Sequence, residues 1–401
     1  MSRLGRVTRV VPDRILARLL PAGRRFDPNA VPAPLDLDPT ARARLVVGAE
    51  NSAGQGAAWA DSVRRHIPGV SAQSFAVDRG SAFAHAVDVA VPAPVFTWST
   101  TWQRRHRRQL LTEATHVLLE GGRPILAGGM RGDVIDDARR VRRAGAQLAY
   151  LWHGSDVRDP DAHAARNAES PFATGAVDAS LRRALRTRVD ASARLRGAIP
   201  APSLVSTPDL LLDIPDARWL PLVIDVDAWR GDDAPFSRDR IPVVMHAPSR
   251  AALKGSAVID RVLGRLADDG VIDYRRVSGA SHSSLPAIVA EVDVVVDQVG
   301  LGLYGVLACE AMAAGRVVVG DPSEQLRDVV RNETGRELPI SVTSAAELER
   351  SIRSMCADPA VARERAAAGP AFVRAVHDGR RAAATLADVL GLEPRSSKMD
   401  A

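Results

Sequence analysis

The sequence predicts an α/β protein built from two doubly wound domains, each with a parallel sheet covered by helices. Two observations predict this class. Short β-rich runs alternate with stretches of helical spacing from Arg44 to about residue 152, and the same rhythm returns between 242 and 320. Such alternation is typical of parallel sheets. The length of 401 residues also exceeds what one core comfortably fills, so two domains are expected.

The pattern predicts each element in order. In the first half we expect strands over 45–48, 70–77 and 148–152, with helices over 57–66, 102–120 and 133–147. In the second half we expect strands over 242–247, 273–277, 293–297 and 317–320, with helices over 256–266, 285–291, 306–314 and 360–390.

Composition shifts predict the domain boundaries. Residues 1–41 form a basic, Pro- and Arg-rich N-terminal segment, and 42–220 form a Rossmann-like acceptor domain. The Pro- and Asp-rich stretch 221–240 is the interdomain linker, 241–360 form a Rossmann-like donor domain, and 361–401 form C-terminal helices and a tail.

Bulk composition excludes several classes of protein. The net charge is +5, but Lys occurs only at 254 and 398, few aromatic residues accompany the arginines, and no reading motif is present. We therefore expect no nucleic-acid partner. No apolar run reaches the length of a membrane span, and no signal-peptide core follows the N-terminus. Cys309 and Cys356 stand far apart, which favours a reducing cytoplasm.

Two basic stretches allow two interpretations each. Between residues 3 and 19, aliphatic residues alternate with arginines, which indicates a basic amphipathic segment. A second basic run opens the helix predicted from Trp102. Either stretch fits peripheral contact with the inner face of the cytoplasmic membrane, and the helix at Trp102 also fits an anionic or lipid-linked acceptor. The competing interpretation of the first stretch is a helix that packs on its own domain with its arginines in water, and that of the helix at Trp102 is a solvated helix face.

The chemistry is expected just beyond the carboxyl ends of the strands, where helix N-termini point outward. After the strand at 242–247, the turn carries Ser249 and Arg250, and Lys254-Gly255 precedes a helix. A retained Lys in a chain that otherwise chooses Arg suggests that a compact ammonium is required there. Arg250 and Lys254 would then neutralise a diphosphate, although a surface Lys beside a turn Gly is the competing interpretation.

A second place follows the strand at 293–297. Asp297 and Gln298 end the strand, and a Gly-rich turn then opens a helix that carries Glu310 among small and apolar residues. Glycines in such a turn let a phosphate approach the backbone. The carboxylate of Glu310 needs a partner, either a ribose diol or a buried cation.

Two further places lie in the first half. His153 directly follows the strand at 148–152, with Asp156 and Arg158 expected to order its loop. A His in this position contacts a sugar or is a hydrogen-bonded structural residue. The loop after the first strand contains Gly54-Gln55-Gly56, which fits an acceptor-side loop or a plain tight connection.

The stretch from His246 to Asp321 resembles the donor-binding half of GT-B glycosyltransferases, in particular the retaining family 4 group. Lys254 of the Lys-Gly pair, Asp293, Gly305 and the run Glu310-Ala-Met-Ala-Ala-Gly match that family's pattern over roughly 75 residues. Two positions depart from it. Gly302 stands where the family places its first Glu, and Arg250 is one place from the usual Arg.

The resemblance implies the GT-B fold, two Rossmann-like domains facing a central cleft. It implies a retaining transfer of a sugar from a nucleotide sugar to a hydroxyl of a glycan or lipid-linked acceptor, with no metal cofactor. The nucleotide base is expected near Gly279 and His282, the ribose on Glu310, and the sugar or reacting centre near His153. With Gly302 in place of Glu, three outcomes stay open: Asp297 or Gln298 supplies the missing polar contact, the sugar is held differently, or activity is lost. The diphosphate is expected between Ser249, Arg250, Lys254 and the turn Gly302-Leu303-Tyr304-Gly305-Val306.

Two alternatives stay open, both on the same fold. A sugar-nucleotide epimerase would bind the donor without an acceptor. A non-catalytic nucleotide-sugar-binding protein would keep Glu310 and Lys254 and tolerate the change at Gly302.

Overall fold

The structure is a computed structural model that describes residues 11–80, 85–127, 132–229, 231 and 233–392. Residues 1–10 of the expected N-terminal segment, and residues 393–401 of the expected tail, lie outside the described residues.

Two β-sheets form the framework. The first has the strand order β3-β2-β1-β4-β5-β6-β7, and its strands from β3 to β5 pair in parallel. The second has the order β12-β11-β10-β8-β9 and is parallel throughout. The strands are β1 Ala43–Gly48, β2 Val70–Asp78, β3 Val89–Pro92, β4 His116–Glu120, β5 Gln147–Trp152, β6 Ser203–Val205, β7 Arg218–Trp219, β8 Val243–His246, β9 Asp273–Arg276, β10 Val294–Val296, β11 Val317–Gly320 and β12 Ser341–Val342.

Helices connect these strands, with short 3₁₀ turns at several loops. They are α1 Asp13–Leu19, α2 Gln55–His66, α3 Ala93–Trp98, α4 Thr100–Arg108, α5 Val134–Arg143, α6 Gly154–Val157, α7 Pro160–Arg166, α8 Ala179–Ala198, α9 Ser256–Asp268, α10 Leu285–Ala290, α11 Val306–Ala313, α12 Glu324–Thr334, α13 Leu348–Ala357, α14 Ala360–Val376 and α15 Arg380–Leu390. None of them, within the described ranges, is long and apolar enough to cross a bilayer.

The central strands are valine-rich because helices cover both of their faces. All three residues of β10 and all four of β11 are buried. Alternate valines of the two strands pack with Ile259 and Leu263 of α9 and Ile352 of α13 in one apolar core, namely Val294, Val296, Val317 and Val319. A strand buried on both faces has no polar side to show, so it appears in the sequence as a continuous apolar run.

Internal contacts divide the chain into two compact units. The first unit comprises residues 1–152, 191–204 and 382–401, and the second unit comprises 153–190 and 205–381. Residues 153–190 therefore belong to the same compact unit as most of the C-terminal half of the chain. The sequence had suggested the N-terminal domain for them.

One predicted helix is wrong in its second half. The helix expected over 102–120 ends at Arg108, a turn of π-helix follows over Gln109–Glu113, and His116–Glu120 is the buried strand β4. A short apolar run inside a sheet cannot be told from a buried helix by its periodicity, which explains the error. The helix expected over 133–147 stops at Arg143, and the one expected over 360–390 is two helices, α14 and α15.

The strand orders locate two topological switch points. In the second sheet, β9 and β10 flank β8, and the connection after β8 runs to β9 on one side while the connection after β10 runs to β11 on the other. In the first sheet, β2 and β4 flank β1 in the same way. Ligands of open α/β sheets bind beyond the carboxyl ends of the strands at such points.

Candidate functional site

At the switch point of the second sheet, the loops after β8 and β10 are joined by an ion pair. Lys254 Nζ donates to Asp297 Oδ1, and the two side chains are 14% and 2% exposed. Asp297 Oδ2 also accepts the backbone N–H of Gly305, at 3.2 Å, just before α11 begins. The pair therefore places an ammonium beside the N-terminus of a helix, where the backbone also favours negative charge.

Gly255 lets these two loops approach each other. Its φ is +70°, and a Cβ atom there would lie 2.6 Å from Val299 Cγ2 and 2.7 Å from the Val299 carbonyl oxygen. Only glycine fits both the left-handed backbone and this close contact. The Lys254-Gly255 pair seen in the sequence is thus a cation followed by the residue that lets its loop pack against the loop after β10.

The loop after β8 exposes polar side chains to solvent. Ser249 and Arg250 are exposed on the loop after β8, and no described residue pairs with the Arg250 guanidinium. A Cβ at Gly305 would lie 3.7 Å from Lys254 Nζ, so any larger side chain there would cover the ammonium. Lys254, 14% exposed, therefore lies close to the residue that precedes α11, which begins at Val306, while Arg250 is exposed on the loop after β8.

Glu310 lies one turn into α11 and has a partner that the sequence did not predict. Its carboxylate is 4% exposed, and Oε1 lies 2.8 Å from His282 Nε2. The His282 ring also meets Trp229 edge-on, with ring centroids 5.8 Å apart. Gly279, which opens the same loop, is exposed and has a φ of +70°. The loop over 279–282 therefore contacts Glu310 through His282.

The His282–Glu310 pair predicts a pH-dependent contribution to stability. The hydrogen bond to Glu310 raises the pKa of His282 above 6.5, against the opposing effect of burial. A raised folded-state pKa means that the stabilisation is complete below the unfolded value and is lost as pH rises through the folded value. We therefore expect His282→Gln to lower the free energy of unfolding more at pH 5.5 than at pH 8.5, measured by chemical denaturation. An equal loss at both pH values would contradict a charged pair.

Gln298 organises the Gly-rich turn from within. It is fully buried, its Nε2 donates to the Leu303 carbonyl at 2.7 Å, and its Oε1 accepts the Leu301 N–H at 2.8 Å. Both ends of the amide are thus used to shape residues 299–303. The geometry assigns Gln298 a scaffolding role beside the buried Asp297, and the contact to a sugar expected of either residue stays a prediction.

The same turn is held by a segment that the sequence analysis did not single out. His163 of α7 contacts the Leu301 carbonyl oxygen through Nε2 at 3.2 Å, and Asn167 Nδ2 donates to the Gly300 carbonyl at 2.9 Å. Burial lowers the pKa of His163 to about 4, so the ring is neutral at physiological pH. These partners are more than 130 residues apart in sequence, and no local pattern signals them.

The glycine at position 302 suits the conformation of the turn. Gly302 has a φ of +75°, and its carbonyl accepts the Ser323 N–H at 3.1 Å. A glutamate at this position would adopt a strained left-handed backbone, at a cost of about 1 kcal/mol. Tyr304, expected near the diphosphate, turns its side chain into the core, where its hydroxyl meets His377 Nε2 at 3.3 Å. The side chain of Tyr304 is therefore buried, and only its backbone remains for the expected contact with a diphosphate.

His246, at the end of β8, is a structural residue. Its Nδ1 donates to the Val296 carbonyl at 2.8 Å, so Nε2 accepts from the Ser256 hydroxyl at 2.8 Å. Burial lowers the pKa of His246 to about 4. A neutral ring therefore links β8, β10 and the start of α9, and so fixes the strands that lead into the loops of Lys254 and Asp297.

His153 lies at the carboxyl end of β5 and begins the short helix α6. Its Nδ1 is 3.0 Å from Ser206 Oγ, and its backbone N–H donates to Asp156 Oδ2 at 3.1 Å. Asp156 and Arg158 are buried, and Arg158 pairs with Asp209. A Cβ on Gly154 would collide with the Arg158 guanidinium at 2.2 Å. The buried contacts of Asp156 and Arg158 thus hold this loop, and the ring of His153 is half-buried.

The loop with Gly54, Gln55 and Gly56 lies at the switch point of the first unit. Its Ser52 N–H donates to the buried Glu120 at 2.9 Å, and Gly56 packs so closely that a Cβ would lie 2.8 Å from Glu120 Oε2. Gln55 is buried and Gly54 has a φ of +76°. The loop is therefore tightly fastened to the end of β4, and its acceptor-side role stays a prediction.

Within the described residues, no group of three or more His, Cys, Asp or Glu side chains is placed to hold a metal ion. Asp159 and Asp161, which form one of the Asp-x-Asp pairs in the sequence, have structural partners instead. Asp159 caps α7, and Asp161 pairs with Arg182 and Arg186.

Solved glycosyltransferases share this fold. Sucrose-phosphate synthase from Thermosynechococcus elongatus is similar with a TM-score of 0.55 and 14% identity, over 86% of this chain and 98% of that one. HepE from Anabaena, in complex with UDP and glucose, gives 0.56 and 12% over 87% and 99%. A glycosyltransferase from Rickettsia africae gives 0.50 and 9% over 88% and 99%. No family model and no curated protein matches the sequence. The likeness confirms the predicted GT-B fold class of two Rossmann-like domains.

Proposed function

We propose that this protein is a retaining glycosyltransferase that moves a sugar from a nucleotide-sugar donor to a hydroxyl of a glycan or lipid-linked acceptor. One observation carries the proposal. Lys254 and Asp297 meet beside the start of α11, the helix that carries the buried Glu310, at the switch point of the second sheet, where ligands of such folds bind. HepE, which shares the fold, has been solved with UDP and with UDP-glucose, which supports a nucleotide-sugar donor.

The donor diphosphate would lie between Arg250, Lys254 and the N–H groups that open α11. Lys254 is already oriented by Asp297, so the ammonium needs little reorganisation as charge develops on the leaving phosphate. Glu310 would accept hydrogen bonds from the ribose diol, since a carboxylate accepts several at once. His282, which contacts Glu310, would then lie beside the ribose, and the loop over 279–282 would lie beside the base.

The reaction breaks the bond from the anomeric carbon to the donor phosphate and forms one to the acceptor oxygen on the same face. In this proposal the acceptor proton passes to the departing phosphate oxygen. His153, ordered by Ser206 and Asp156, would hold a hydroxyl of the transferred sugar. Positive charge from Lys254 and Arg250 replaces a metal in stabilising the nucleoside diphosphate, so no divalent ion is required.

Turnover tests the proposal directly. The full chain is incubated with UDP-, GDP- or ADP-sugars and a panel of glycan and lipid-linked acceptors, and nucleoside diphosphate release is measured with and without EDTA. We expect release with one donor family that depends on an acceptor, survives EDTA and falls at least 100-fold in Glu310→Gln. NMR of the product anomer would show retention.

Two other results would replace this proposal with an alternative on the same fold. Conversion of the nucleotide sugar without any acceptor would identify an epimerase. Tight donor binding with neither conversion nor transfer would identify a non-catalytic binding protein. The glycine at position 302, where the similar family has a glutamate, is the reason to test for a non-catalytic binding protein.

The expected place of action is the cytoplasm, with peripheral contact at the inner face of the membrane when the acceptor is lipid-linked. A donor made in the cytoplasm and an acceptor anchored in lipid meet only at that surface.

A further inference from the structure

Helix α1 presents an unusual face to solvent. Ile15 is 52% exposed and Leu19 is 73% exposed, and Leu19 has the highest exposure among the described large hydrophobic residues. Arg14 and Arg18 are exposed beside them. At 3.6 residues per turn these four positions cover about 140° of the helix surface, with both arginines along one edge and both aliphatic residues along the other. The opposite side is buried through Asp13, Leu16 and Ala17.

Asp13 attaches this helix to the strongly basic helix α4. Its Oδ1 accepts the Thr100 N–H at 2.8 Å, and its Oδ2 accepts the Ser99 hydroxyl at 2.5 Å. Ser99 in turn caps α4 by accepting the Trp102 N–H. The only carboxylate between residues 11 and 26 is therefore buried and bonded inside the first unit, where it neutralises no surface charge.

The two helices and the turn after α1 carry a surplus of positive charge. Their exposed cations are Arg14, Arg18, Arg24, Arg25, Arg104, Arg105 and Arg108. Helix α4 contains no carboxylate. In the part of the chain that the structure describes, Arg14, Arg18, Arg24, Arg105 and Arg108 have no carboxylate partner. We name Arg14, Arg18, Ile15 and Leu19, which share one exposed face of α1, the basic patch.

We propose that the basic patch docks the protein on an anionic lipid surface. Exposed arginines supply attraction to lipid phosphates, and two adjacent aliphatic side chains supply the apolar contact that enters the headgroup region. A nucleic acid would use the arginines but gain nothing from Ile15 and Leu19, since binding to strands relies on aromatic stacking and phosphate contacts. The exposed aliphatic pair is therefore the feature that favours a membrane.

Docking through the first unit goes beyond nucleotide binding and is independent of it, because Lys254 and Glu310 belong to the second unit. A chain that fails to bind nucleotides would still bind vesicles, and one that fails to bind vesicles would still bind nucleotides. Nucleotide binding and membrane docking are therefore tested by separate measurements.

Vesicle co-sedimentation of the full chain tests the proposal. The probes are phosphatidylcholine vesicles with and without one third phosphatidylglycerol, at low and at physiological salt. We expect binding to the anionic vesicles that weakens with salt, and none to phosphatidylcholine alone. Arg14→Gln with Arg18→Gln should weaken it about 30-fold, from about a factor of five for each charge. Ile15→Ser with Leu19→Ser should weaken it roughly tenfold or more.

Matched controls separate the basic patch from general surface charge and apolarity. Arg139, which is half-buried, and Arg140, which is exposed, belong to the first unit and pair with Asp136, so replacing both with Gln should leave binding unchanged. Leu212, 46% exposed in the second unit, serves as the apolar control in Leu212→Ser. All variants should keep the thermal midpoint of the parent, since none of them changes a buried side chain.

The proposal is overturned if wild type ignores anionic vesicles at low salt, or if the variants of the basic patch bind as wild type does. It is also overturned by tighter binding to a DNA duplex than to vesicles that depends on Arg14 and Arg18 but not on Ile15 and Leu19. That last result would assign the basic patch to nucleic acid.

Discussion

Lys254→Ala is expected to lower the free energy of unfolding by about 3 kcal/mol and to abolish nucleotide binding. The stability loss arises because Asp297, 2% exposed, would keep a buried negative charge without its cation. The binding loss arises because the ammonium beside the start of α11 would be gone. Chemical denaturation gives the first quantity, and calorimetric titration with a nucleoside diphosphate gives the second.

A double variant separates these two effects. Lys254→Met with Asp297→Asn removes both charges, while the Asn carbonyl still accepts the Gly305 N–H. We expect it to recover most of the lost stability and none of the nucleotide affinity. A single Lys254→Ala variant within about 0.5 kcal/mol of wild type would show that the ion pair is not the buried contact described above.

Gly255→Ala is expected to be strongly destabilising, although it adds only one methyl group to the second unit's site. A left-handed φ costs a non-glycine residue about 1 kcal/mol, and overpacking adds about 2 kcal/mol more. The added Cβ would lie 2.7 Å from the Val299 carbonyl oxygen, which is backbone and cannot rotate away. We therefore expect a loss of about 3 kcal/mol in stability together with weaker nucleotide binding, because Lys254 is the preceding residue.

Gly270 provides the matched control. Its φ is +71°, nearly that of Gly255, but a Cβ there would meet nothing within 4 Å. Gly270→Ala should cost only the backbone term, about 1 kcal/mol, and leave nucleotide affinity unchanged. Equal losses at the two glycines would mean that the contact between Gly255 and Val299 does not restrict the site.

Local sequence pattern predicted the parts of the fold that depend on local physics. The strand over 317–320 was predicted with the bounds that the structure has, because four consecutive apolar or small residues follow an Ala-Gly helix end. The apolar run of β4 was assigned to a helix, since Leu118 and Leu119 fit either period. Pattern alone cannot decide whether a short apolar run is covered on both faces.

The candidate site was predictable to the extent that its residues follow strands. Lys254, Asp297 and Glu310 each stand just after a strand or at the next helix, and the structure brings Lys254 and Asp297 together. The partner of Glu310 could not be predicted, because Glu310 lies on α11 and His282 lies 28 residues earlier, between β9 and α10. The same holds for His163, since the fold alone brings it to the turn at Leu301.

Thermal-shift titration with UDP-, GDP- and ADP-sugars, on wild type and Glu310→Ala, tests the central claim that the second unit binds a nucleotide sugar. Glu291→Ala, which removes an exposed glutamate paired with Arg275, is the control. A ligand that binds only the folded state raises the midpoint. We expect one nucleotide family to raise the midpoint of wild type and of the control but not that of Glu310→Ala. No shift with any of these nucleotides, or an equal shift in Glu310→Ala, would contradict the claim.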